Sequence, residues 1–146
     1  MSKSFYPIIM TDNLNESINF YEDYLGFVAE TEMNCFAVLK HKKNDDVRLG
    51  LITKNHHSLP EHSQKNSQGL VLNFPVESVN EVYRELYMEG LEIENEPSLA
   101  PCGRRHFMIQ DPNGVLIDVM EEYDPFSGQN DNSEEFEVMM QSIRTH

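Results

Sequence analysis

The period of the apolar positions changes along this chain, and each change marks an element. A short apolar run at about Phe5–Met10 reads as a strand. A helix follows at about Leu14–Tyr24, where Leu14, Ile18 and Tyr21, with Leu25 just beyond, form one stripe at helical spacing. Asn13 stands at the N-cap position with Glu16 three residues on, a capping-box pattern, and Gly26 closes the helix. Strand-like runs come next at about Phe27–Met33, Phe36–Lys40 and Val47–Thr53, with a polar turn at 42–46. Residues 54–68 are polar and aperiodic, as a linker or loop is.

The pattern then restarts. Leu70, Leu72, Phe74 and Val76 alternate as a half-buried strand. Ser78 and Glu81 repeat the cap-and-box signature; Val79, Tyr83 and Leu86 form a second stripe, and Gly90 ends it. Strands at about Leu91–Glu94, Arg105–Gln110 and Val115–Glu121 complete the second unit. Leu14 and Val79, Ile18 and Tyr83, Tyr21 and Leu86 are each 65 residues apart. A repeat on that scale points to a duplicated unit. The expected fold is therefore α+β: two tandem βαβββ modules, about 4–53 and 69–123, forming a curved mixed sheet around a cleft. They make one domain over 1–125, followed by a tail, 126–146, expected to be partly helical with Phe136, Met139, Met140 and Ile143 on one side.

Charge narrows the function. The 146 residues carry 11 Lys and Arg against 25 Asp and Glu, a formal charge of −14. Phosphate-based nucleic-acid binding needs basic surface, so nucleic acid is not expected as a partner, and anionic membranes are disfavoured for the same reason. Part of the acidity is local: residues 121–146 hold seven acids and one base, Arg144. No apolar run approaches the roughly 20 residues of a membrane span, and the N-terminal run is too short for a signal peptide. The chain is read as cytoplasmic, with Cys35 and Cys102 as free thiols.

The stretch FMIQDPNGVLIDVMEE, Phe107–Glu122, reads as strand, tight turn, strand. Asp111, Pro112, Asn113 and Gly114 supply the turn chemistry. Beyond it Val115, Ile117 and Val119 share one parity and form a core face, while Asp118 lies on the other face between Leu116 and Met120. A mid-strand carboxylate there is a metal ligand, an anionic ligand contact or a solvated residue. His106, Met108 and Gln110 face the same way from the preceding strand, and His106 is a candidate ligand contact. His56, His57 and His62 cluster with Glu61 in the linker. The two neighbouring rings are expected to point differently, with no scaffold to hold a zinc ion. His41, at a turn, is expected to be solvated.

These segments resemble the vicinal oxygen chelate superfamily, which includes glyoxalase I, extradiol dioxygenases and bleomycin-resistance proteins. TDNLNESINFYEDYLGF in the first module and PCGRRHFMIQDPNGVLIDVME in the second carry the resemblance, which spans about Phe5–Glu122. Metal-dependent members place one ligand on the first and one on the last strand of each module. The matching positions are Phe5, Gly50, Val71 and Asp118, of which only Asp118 carries a donor. The resemblance therefore implies the metal-free, bleomycin-resistance-like branch: no metal, no cofactor and no catalytic constellation. Small two-module relatives commonly pair, so a homodimer is expected.

The expected cleft lining takes Phe5, Pro7 and Ile9 from the first strand and Arg48, Gly50 and Ile52 from the fourth. Val71 and Asn73 come from the fifth, and His106, Met108, Gln110, Leu116, Asp118 and Met120 from the closing hairpin. Ligand contacts are assigned to Phe5, Arg48, Asn73, His106, Met108, Asp118 and Met120. Asp118 is expected to need a partner, either a ligand amine or hydroxyl or else Arg48 or Arg105, because burying it alone costs several kcal/mol. The function expected is sequestration of an aromatic or cationic compound, as in antibiotic resistance. The alternatives are a divalent-metal lyase, isomerase or dioxygenase, and a regulatory binding module.

Overall fold

The computed structural model describes residues 5–122. The tail and its expected helix lie outside them. In chain order the elements are β1 (Ile8–Thr11), α1 (Leu14–Leu25), β2 (Phe27–Glu32), β3 (Phe36–His41) and β4 (Asn44–Thr53), then β5 (Val71–Val76), α2 (Val79–Met88), β6 (Ser98–Leu99), β7 (Arg105–Gln110) and β8 (Leu116–Glu121). Each module forms its own four-stranded mixed sheet, ordered β1-β4-β3-β2 and β5-β8-β7-β6. β1 runs parallel to β4 and β5 parallel to β8, and the other pairs are antiparallel.

The chain divides into two compact units. One runs up to Leu70 and includes the Asp111–Val115 turn; the other holds Val71–Gln110 and continues from Leu116. Both helices start as their caps dictate. Asn13 Oδ1 accepts the Glu16 N–H at 3.1 Å, and Ser78 Oγ accepts the Glu81 N–H at 3.3 Å. The first amide of α2 also donates to Glu121 Oε1 at 3.4 Å, an acidic group where helix N-termini favour one.

In the first unit α1 covers one sheet face. Leu14, Ile18, Tyr21 and Leu25 bury their stripe, and Ile9, Ala37, Leu39, Leu49 and Leu51 are buried in the sheet. In the second unit Phe107, Ile109, Ile117 and Val119 are buried with Val79 and Leu86 of α2, and Tyr83 meets Phe107 edge-on at 5.4 Å. Each fully buried side chain of this size contributes about 1.5–3 kcal/mol relative to exposure.

Three element boundaries differ from the sequence expectation. β1 starts at Ile8 rather than Phe5, because Pro7 has no N–H to place in a ladder, although its carbonyl accepts the Gly50 N–H at 2.8 Å. β4 starts at Asn44, so only Lys42 and Lys43 form the turn. The strand expected at about Leu91–Glu94 is reduced to one bridge, Ile93 to Ile109. The backbone of Met108 is satisfied instead by the Glu94 N–H at 2.9 Å and by Asn95 Oδ1 at 3.0 Å. Pro97 also interrupts the segment, and pairing resumes only at β6.

Register corrects one parity. Ile8 lies opposite Gly50, and Ile9 lies opposite Leu51. Ile9 is thus on the buried, helix-covered face and not on the face of Gly50. An added Cβ at Gly50 would sit 2.8 Å from Ile8 Cγ1, so the glycine is there because Ile8 packs over it. Gly50→Ala is expected to destabilise by about 1–3 kcal/mol, the usual cost of overpacking. Adding Ile8→Ala should recover part of that loss in urea unfolding. A Gly50→Ala protein as stable as the parent would refute the packing explanation.

The Asp111–Val115 turn carries more than turn chemistry. Asp111, Asn113, Ser17 and Thr11 are all buried polar residues. Asp111 Oδ1 accepts the amides of Asn113 (2.8 Å) and Val115 (2.9 Å), and Oδ2 accepts the Tyr21 hydroxyl at 2.8 Å. Asn113 Nδ2 donates to Ser17 Oγ at 3.0 Å, and Ser17 shares a hydrogen bond with Thr11 Oγ1 at 2.8 Å. Gly114 closes the turn with φ 84°, a conformation costly for residues with a Cβ.

Candidate functional site

The face of the second sheet opposite α2 is built by strand register. Asp118 on β8 lies between Asn73 on β5 and Met108 on β7, and Met120 lies between Pro75 and His106. Asn73, His106, Met108, Asp118 and Met120 therefore share one face, as alternation along the strands predicts. Asp118 and Met120 are buried in it, at 8% and 7% exposure, while Asn73, Pro75 and Val71 stay exposed at its edge.

Asp118 has a partner, and it is neither arginine. His106 Nδ1 lies 2.7 Å from Asp118 Oδ1. The two residues are diagonal neighbours across the β7–β8 pair, a separation that long side chains span. With the carboxylate ionised the shared proton belongs to the ring, so Nδ1–H donates and the tautomer is fixed.

Arg48 belongs to the first unit and forks onto Glu30, with Nε to Oε2 at 2.8 Å and Nη2 to Oε1 at 3.1 Å. It also donates to the Asp45 carbonyl at 2.6 Å. The Arg48 hydrogen bonds hold the Glu30 carboxyl below the usual carboxylate range. Arg105 has the parity opposite to His106, and its Nε is buried with no hydrogen-bond partner. Phe5, the remaining assigned contact, precedes β1 and is 98% exposed.

The same register pairs the first and last strands of each module at corresponding positions. Ile8 stands five residues before the Asn13 cap and opposite Gly50; Asn73 stands five before the Ser78 cap and opposite Asp118. The repeat-related positions of the two modules are thus Ile8 and Gly50, then Asn73 and Asp118. Ile8 and Gly50 carry no side-chain donor, and Asp118 is bonded to His106. Among the described residues no three His, Cys, Asp or Glu side chains gather closely enough to hold a metal ion. This donor set does not fit the several N or O ligands that a tightly held divalent ion needs.

Other candidate groups have local explanations. The rings of His56 and His57 stack at 4.4 Å rather than diverging, and His56 Nδ1 bonds Ser58 Oγ at 2.7 Å. His41 is not fully solvated. It ends β3 against Phe27, edge-on at 5.3 Å, and burial pushes its imidazole below the ordinary value. Both cysteines are free thiols. Cys102 Sγ lies 4.0 Å from Met120 Sδ; burial pushes the thiol up, but hydrogen bonds and charge from Arg104 leave it below the ordinary value. A groove in the first unit, of about 570 Å³, is lined by Asp12, Asn13, Leu14, Asn15, Glu32, Met33, Asn34 and Thr53. Sequence reasoning had not singled it out. Of its polar groups, Asn13 caps α1 and Asp12 pairs with Lys54 at 3.0 Å, while the buried Thr53 hydroxyl has no hydrogen-bond partner among the described residues.

The family model of the Glyoxalase/Bleomycin resistance protein/Dioxygenase superfamily matches residues 5–119. Comparison with curated proteins gave no match. Among solved structures the chain is similar to a virulence protein from Salmonella typhimurium, with 22% identity, a TM-score of 0.67, and coverage of 84% of this chain and 98% of that one. It is also similar to a bleomycin resistance determinant encoded on the transposon Tn5, with 18% identity, a TM-score of 0.62, and coverage of 84% and 100%. A bleomycin-binding protein in complex with bleomycin gives 18% identity, a TM-score of 0.61 and the same coverage. At these identities the likeness shows the fold.

Proposed function

We propose a function from one premise: this chain belongs to the Glyoxalase/Bleomycin resistance protein/Dioxygenase superfamily. Our reading is a cytoplasmic, homodimeric small-molecule binding protein that takes an aromatic or cationic compound without metal. The observation that carries it is the His106–Asp118 pair on the face of the second sheet opposite α2, flanked by Met108, Met120 and Asn73. A largely apolar surface with a few fixed polar groups is the usual make-up of such a site. Methionine suits aromatic rings through sulfur–π contacts, and the solved complex of a structural neighbour with bleomycin supports looking among aromatic cations first.

The test is ligand-induced thermal shift, confirmed by calorimetry, with bleomycin and a panel of aromatic amines and phenols on the full chain. A ligand at 100 times its Kd should stabilise by about 2.7 kcal/mol. A panel without a single saturable binder would end this reading. Metal content is a separate prediction. Protein purified without added metal should hold far less than one Zn, Ni, Mn or Fe per chain, and a chelator should leave its Tm unchanged. One tightly held ion per chain would overturn the metal-free reading. Light scattering checks the dimer, for which a single-chain mass at micromolar concentration would be the contrary result.

A further inference from the structure

We infer that the groove of the first unit binds a free α-amino acid as a zwitterion, with its carboxylate at the start of α1 and its ammonium on Glu32. The residues that line it all belong to the first unit, so this site does not depend on the function proposed for the second sheet. Its volume of about 570 Å³ falls within the roughly 300–1,000 Å³ of small-molecule sites. The start of α1 supplies the positive end. A helix start leaves four amides without an intrahelical partner. Here Thr11 Oγ1 takes the Asn13 amide and Asn13 Oδ1 takes that of Glu16, each at 3.1 Å. Leu14 and Asn15, both lining the groove, keep amides with no partner among the described residues. With the dipole of this 12-residue helix they favour a carboxylate. Asp12, the acid next to the cap, is neutralised by Lys54 Nζ at 3.0 Å.

The end of β2 supplies the negative side. Glu32 lines the same groove and forms no ion pair among the described residues. A simple anion would be repelled by Glu32, and a simple cation by the open amides of α1. A neutral polyol would use neither charge. A ligand that carries both charges close together satisfies both walls at once, and an α-amino acid is the smallest such compound. Leu14 and the exposed Met33 offer its side chain apolar contact.

Thr53 adds a second, independent sign of a ligand. It lines the groove, yet its Oγ1 is buried with no hydrogen-bond partner among the described residues. A hydroxyl kept dry and unbonded is costly. Turning about χ1 to another staggered rotamer brings it into the groove, where a bound carboxylate is its acceptor. The hydroxyl thus gains from the ligand the bond that the free protein does not give it.

The probe is leucine, titrated by calorimetry into the full chain near neutral pH. N-acetyl-leucine lacks the ammonium charge and leucinamide lacks the carboxylate. The expected result is one leucine per chain, bound at least roughly tenfold more tightly than either analogue. Glu32→Gln, a change at an exposed position, should weaken leucine at least roughly tenfold without weakening N-acetyl-leucine. Thr53→Val keeps the branched shape and removes only the unbonded hydroxyl. It should weaken leucine severalfold while the urea midpoint of the free protein does not fall. A merely structural threonine would give the opposite pair of results. Equal affinity for leucine and its two analogues, or a Glu32→Gln protein that binds leucine as the parent does, overturns the zwitterion site. So does a parent protein with no saturable binding of leucine or any other uncharged amino acid, even one that binds the aromatic panel.

Discussion

Asp111→Ala is expected to lower the unfolding free energy by about 3–5 kcal/mol, enough to unfold much of a marginal domain. The carboxylate accepts the Tyr21 hydroxyl, two backbone amides and, at 3.3 Å, Asn113 Nδ2. It is 5% exposed, so water does not replace these bonds when it is removed. Each buried donor left without an acceptor costs about 1–3 kcal/mol. Tyr21→Phe removes only one bond to a charged group and should cost about 1.5–3 kcal/mol. The two changes share that bond, so the double mutant should lose less than the sum of the single losses. Urea unfolding of the four proteins measures this. A loss below about 1 kcal/mol for Asp111→Ala would mean that the turn repacks and that the buried network is not what holds it.

Alkaline unfolding governed by Tyr21 is the second large effect. Burial raises the Tyr21 phenol far above its ordinary value near 10, and the adjacent Asp111 charge and hydrogen bond raise it further. The native state therefore keeps a proton that the unfolded chain releases. Below about pH 10 both states hold the proton, and this residue makes stability no function of pH. Above it the native state binds more protons than the unfolded state, so stability falls as pH rises, by about 1.4 kcal/mol per pH unit from this one group. Two units above the unfolded value the loss is about 2.7 kcal/mol. Tyr21→Phe should abolish that slope, so that the mutant, weaker at neutral pH, closes the gap with the parent as pH rises. Unfolding series at stepped alkaline pH provide the test. A native-state titration in which Tyr21 ionises with an ordinary phenol's midpoint would contradict it.

The network behind both predictions shows the limit of local reading. The sequence pattern identifies Asp111-Pro112-Asn113-Gly114 as a turn, because turn propensity depends on a few neighbouring residues. That Asp111 is also the acceptor for Tyr21, 90 residues earlier, follows from packing of the turn against α1. No periodicity encodes that contact.

The same division runs through the whole molecule. Sequence by itself determined both helices with their caps, the tandem order of the modules, the family, and the face on which Asn73, His106, Met108, Asp118 and Met120 lie. These depend on helical and strand period and on short-range hydrogen bonds, all written in nearby residues. Tertiary structure decided the rest. Strand register placed Ile8 rather than Phe5 or Ile9 opposite Gly50, because Pro7 delays the ladder and a one-residue slip reverses every side chain. It gave Arg48 to Glu30 and His106 to Asp118, exchanging an expected arginine for an imidazole. Charge alone ranks an arginine above a histidine as a carboxylate's partner. Distance makes the actual choice, and distance between strands is fixed only when they pair.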